Sequence, residues 1–125
     1  MAEKDRVQAS LRVWVATAWA DGTIAEAERE ALRRLISYAA IPEDYRAEAL
    51  TWLEAPIELE VGNLVELSEV RRQFIYQVAV ALTEVDLEVD STERRLLERL
   101  REALEIDPEK AGEIELGVRK RRDGE

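Results

Sequence analysis

The chain has 125 residues, about one domain's worth, with 46% hydrophobic and 37% charged side chains, a mixture that suits a helix-rich globule and argues against disorder. It contains neither Cys nor His, which excludes disulfides, thiolate and imidazole metal ligands, and nucleophile or acid–base systems built on them. The formal charge of −10 repels a phosphate backbone, no apolar run is long enough to cross a bilayer, and MAEKDR does not read as a signal peptide. A cytoplasmic protein that binds no nucleic acid and inserts into no membrane is therefore expected.

Apolar residues recur at helical spacing along the chain. Val7, Leu11, Trp14, Val15 and Ala18 line a first helix, which Asp21–Gly22 ends because Gly tolerates the left-handed conformation of a helix stop. Ile24, Ala31, Leu32, Leu35 and Ala39 mark a second. Pro42 fits the first turn of a third, striped by Tyr45, Ala49, Trp52 and Leu53 and stopped by Pro56. The segment IELEVGNLVEL alternates like a strand but has no second strand to pair with, so it reads as an extended stretch entering a short helix near Asn63–Leu67. Phe74, Val78, Ala81, Leu82 and Val85 define a fifth helix, and Leu96, Leu97, Leu100 and Leu104 a sixth. Pro108 opens a seventh with Ala111, Ile114 and Val118 on its face, and the basic tail, residues 119–125, is expected to fray.

Residues 13–41 align without a gap against 78–106, with 10 of 29 positions identical at an offset of 65. Each copy is a helix, an acidic loop and a second helix. Neither hairpin buries its own stripe, so the sequence predicts an all-α bundle of about seven helices over residues 1–118, with the duplicated hairpins face to face in approximate two-fold symmetry. Trp14, Tyr45, Trp52, Phe74 and the leucines are the expected core, while Trp19 (opposite Glu84 in the repeat) is placed less firmly.

The acids Asp21 and Glu28, repeated as Asp86 and Glu93, are not positions that core periodicity forces. Glu28 precedes Leu32 and Leu35, and Glu93 precedes Leu97 and Leu100, along inward stripes where a carboxylate is costly unless satisfied. Two explanations stand. In the first, these acids cap helices. Asp90 and Glu93 fit a capping box, whereas Ala25 has no side chain with which to cap the equivalent helix start. In the second, each Asp–Glu pair holds a divalent cation, with Ca²⁺ or Mg²⁺ favoured over Zn²⁺ by an all-oxygen ligand set. Asp86, Glu88 and Asp90 follow EF-hand spacing, and Glu88 and Asp90 could add ligands. Yet Ser91 replaces the Gly of that motif and Leu97 its final Glu, so the loop is not an EF-hand.

The signature AxADGxIxxxE, carried by Ala18, Ala20, Asp21, Gly22, Ile24 and Glu28, resembles that of the TerB family of tellurite-resistance proteins, whose superfamily includes the N-terminal domains of DjlA-type co-chaperones. The resemblance covers nearly the whole chain. The second copy departs from it with Leu87 in place of the Gly and Val85 in place of the Ala. The resemblance implies a non-catalytic, all-α stress-response protein that binds metal through Asp21, Glu28, Asp86 and Glu93. The alternative is a protein–protein adaptor whose acids are only caps and surface charge, with Ile57, Leu59 and Val61 as its candidate contact and a protein partner still to be identified. An enzyme is not expected. Carboxylates alone, without a His, a Gly-rich phosphate loop or a nucleophile dyad, make a poor case for catalysis.

Overall fold

The computed structural model describes residues 2–20, 22–62, 64–83 and 92–123. Among them every regular element is helical: α1 (Glu3–Ala18), α2 (Glu26–Tyr38), α3 (Glu43–Thr51), a short 3-10 helix (Leu64–Glu66), α4 (Glu69–Leu82), α5 (Thr92–Ala103) and α6 (Pro108–Asp123). The fold is all-α, and the ambiguous IELEVGNLVEL stretch is extended and then 3-10, as its pattern predicts. No helix of the described residues is long and apolar enough to cross a membrane.

The chain divides into two units, Met1–Glu60 and Val61–Glu125. Each contains three α-helices, and adding 65 to the first residues of α1, α2 and α3 gives those of α4, α5 and α6 to within one residue. The repeat read as a hairpin is thus a three-helix unit.

In the first unit α1 packs against α2 and α3, which also pack on each other. Leu11, Trp14 and Val15 of α1, Leu32 and Ile36 of α2, and Ala49 of α3 are buried. Trp19 is buried too, and its indole N–H donates to the Trp52 carbonyl at 2.9 Å, which settles its place and satisfies the one polar atom of the ring. Past α1 the chain turns on Gly22, whose φ of +90° suits a residue without Cβ and whose N–H donates to the Trp19 carbonyl. The C-terminus of α2 is closed from outside. Arg46 of α3 donates to the carbonyls of Ile36, Ser37, Ala39 and Ile41, covering acceptors that a helix end leaves open.

In the second unit α4 packs against α5 and α6. Ser68 caps α4 by accepting from the Arg71 N–H at 3.1 Å. Ile75, Tyr76, Ala79 and Val80 of α4 are buried, as are Leu97, Leu100 and Leu104, Ile106, and Ala111 and Val118 of α6. Here α5 is closed by Arg72, which donates to the Leu104 carbonyl at 2.8 Å and to Leu67 at 3.0 Å. Glu105 takes a left-handed φ of +55° just past the helix, and the Ile106 N–H reaches back to the Arg101 carbonyl.

Three expectations need correction. Phe74 is not core: it is 52% exposed. The buried face of α4 lies on the other side, because this helix is apolar almost all round and periodicity alone does not choose a face. The tail is helical through Asp123, since no proline interrupts α6 where Pro56 stops the equivalent stretch of the first unit. Leu59 is buried at 6% exposure and has little surface to offer a partner, whereas Ile57 and Val61 are half-buried.

Candidate functional site

Among the six acids singled out in the sequence, Asp21, Asp86, Glu88 and Asp90 lie outside the described residues, as does the side chain of Glu93. Glu28 is described. It is half-buried in the first turn of α2, and its Oε1 accepts from the Ala25 N–H at 3.3 Å. This is the carboxylate half of a capping box. It needs nothing from the side chain of residue 25, so the alanine that seemed to rule capping out is no obstacle. Among the described residues no three acids come together in a group able to hold a metal ion.

The described surface that stands out is apolar. On α4, Val70 is 78% exposed and Phe74 52%. Ala81 follows at helical spacing on the same side and is also exposed. This line faces away from buried Ile75, Ala79 and Val80. Towards α6 it runs into an open groove of about 360 Å³ lined by Gln77, Val78, Ala81, Leu82, Val118 and Arg121. Periodicity had put Phe74 and Val78 inside. The repeat holds the missing signal: Leu11, Trp14 and Val15 of the first stripe correspond to Tyr76, Ala79 and Val80, and those are the buried residues of α4.

The equivalent α1–α3 groove of the first unit is built differently. Its concavity is lined by Asp5, Gln8, Arg12, Tyr45, Trp52 and Glu60, among others. Arg12 lies over the Trp52 ring at 5.3 Å, donates to the Glu58 carbonyl at 3.4 Å and pairs with Glu60 at 3.2 Å. The extended segment that follows Pro56 therefore returns alongside α1. At one rim the Tyr45 hydroxyl donates to Asp5 Oδ1 at 2.7 Å. That hydrogen bond holds the Asp5 carboxyl below its ordinary range and pushes the Tyr45 phenol up.

A polar network unforeseen in the sequence stands inside the second unit. The Tyr76 hydroxyl donates to Glu115 Oε2 at 2.6 Å, and Arg94 of α5 donates to the same oxygen at 3.1 Å. The Glu115 side chain is 11% exposed. Burial first, and then the bond to Glu115, pushes the Tyr76 phenol far above its usual range, while Glu115 holds Arg94 in its charged form. Tyr76 and Glu115 correspond to Leu11 and Leu50 in the first unit, so the pair replaces a leucine contact. Arg94 corresponds to Arg29, which lies 6.0 Å from the Trp19 ring instead. The three groups tie α4, α5 and α6 together and line no described cavity, so their part is structural.

Residues 1–118 match the model of a family described as "Protein of unknown function (DUF533)". No curated protein and no solved structure matches the chain.

Proposed function

The chain belongs to the DUF533 family, and from that premise we propose that it is a non-catalytic interaction domain that docks a protein partner on the outer face of α4. The observation that carries this reading is the exposed line of Val70, Phe74 and Ala81. A protein surface this rich in charge gains nothing from presenting two large apolar side chains one helical turn apart unless something covers them. The test is the double variant Val70→Ser with Phe74→Ser. Both residues are exposed, so stability should change by no more than about 0.5 kcal/mol. Recovery of a cross-linked partner from the native host should fall to background. Unchanged recovery with an intact fold would overturn the reading.

A second reading keeps the function that the TerB-like resemblance implies, a stress-response protein with a divalent cation, Ca²⁺ or Mg²⁺ before Zn²⁺, held by Asp21, Glu28, Asp86 and Glu93. The observation in its favour is the recurrence of both acids at an offset of 65. It predicts a rise in melting temperature on adding Ca²⁺ or Mg²⁺ after EDTA, by mass action on the folded state, and loss of that rise in Glu28→Gln/Glu93→Gln. Identical melts in EDTA and in either ion would remove it. Either role is proposed for the cytoplasm, which fractionation of cells carrying the tagged protein tests.

A further inference from the structure

We propose that the α4–α6 groove receives an extended partner segment in which apolar and acidic residues alternate. This deepens, and rests on, the reading of α4 as a docking face. The first unit supplies the template. There the corresponding α1–α3 groove is flanked by the chain's own Ile57-Glu58-Leu59-Glu60, held by Arg12 through one main-chain carbonyl and one carboxylate. Leu59 of that segment is buried.

The second unit keeps the groove and changes what fills it. Pro56, which turns the chain back in the first unit, corresponds to Arg121, and α6 runs straight on to Asp123. Trp52, on which Arg12 lies, corresponds to Gly117. Val13, Ala16 and Thr17 of α1 are fully buried, whereas their counterparts Val78, Ala81 and Leu82 are half-buried or exposed. The groove walls are thus apolar. Gln77, in the register of Arg12, offers an amide donor for a main-chain carbonyl. Arg121 supplies the cation that a Glu60-like carboxylate needs, with Arg119 and Lys120 exposed beside it. Alternation follows from the geometry of an extended chain, which turns successive side chains to opposite sides, so one set meets the apolar walls and the other the basic rim.

The probe is a short fluorescent peptide with the sequence of Pro56–Val61, titrated by anisotropy into the whole chain, beside a control peptide with Lys in place of each Glu. Saturable binding of the acidic peptide is expected, with the Lys peptide bound more weakly. Ala81→Glu and Arg121→Glu should each weaken the acidic peptide by about tenfold or more. Ala81 is exposed, so its variant should keep the wild-type circular dichroism, and Gln77→Ala gives a milder second check. Equal binding of both peptides, or binding indifferent to Ala81→Glu and Arg121→Glu, would overturn the proposal. So would Ala81-dependent binding to phosphatidylserine–phosphatidylcholine vesicles without peptide binding, because a lipid surface would then be the occupant. Partner adducts formed through Phe74 are a separate readout. If they persist while the peptide fails, the docking face stands and this occupant falls; if they are absent, the docking face itself falls.

Discussion

Replacing Glu115 by Ala should be among the most damaging single changes in the second unit. Its carboxylate accepts from the Tyr76 hydroxyl at 2.6 Å and from Arg94 at 3.1 Å, and its side chain is 11% exposed. Truncation leaves the phenol of Tyr76, itself 1% exposed, without its acceptor, a loss of about 1–3 kcal/mol. Arg94 loses its nearest anion, but its side chain is 22% exposed and Glu98 remains 4.0 Å away, so that share is discounted to about 1 kcal/mol. The sum is about 2–4 kcal/mol, or a fall in melting temperature of roughly 10 °C for a chain of this size. Urea unfolding followed by circular dichroism reads it. Glu115→Gln keeps an acceptor for Tyr76 and removes only the charge, so it should cost about 1 kcal/mol. Crossing Tyr76→Phe with Glu115→Ala should show coupling of about 1 kcal/mol. A loss below about 0.5 kcal/mol for Glu115→Ala, or equal losses for Ala and Gln, would refute the reasoning.

Arg46→Ala should cost about 2 kcal/mol, because four carbonyls at the end of α2 lose a charged donor, while Glu43→Gln should be nearly silent because that partner is exposed; comparative urea melts decide it. The raised Tyr76 phenol gives a pH dependence of definite sign. In the unfolded chain a tyrosine loses its proton near pH 10, whereas the folded chain holds it to higher pH. Its contribution is therefore complete below about pH 10 and falls as pH rises beyond it. Stability measured across that alkaline range should drop more steeply in wild type than in Tyr76→Phe.

The helices were legible because their boundaries rest on local chemistry. Gly22 at positive φ, Ser68 as a cap and the prolines at positions 42 and 108 mark ends that need no tertiary information. The face of α4 was not legible from periodicity, since Val70, Phe74, Val78 and Ala81 make as good a stripe as Ile75, Tyr76, Ala79 and Val80. The repeat resolves that ambiguity. Its stripe in α1 projects onto the second set, and the exposure of Phe74 follows. The guanidinium caps of Arg46 and Arg72 depend on contacts between elements far apart in the chain, and exposed-looking arginines in a charged sequence give no hint of them. Glu28 was misjudged for a simpler reason: a capping box was sought through residue 25's side chain, and only its main-chain N–H was needed.

The claim that matters most is that the outer face of α4 is covered by another protein. A photo-crosslinking amino acid in place of Phe74, with one at exposed Arg99 of α5 as the control, addresses it directly in the native host. Illumination should give a discrete protein adduct from position 74 and none from position 99. Bare, unreacted chain at position 74, or the same adducts from both positions, would contradict the account.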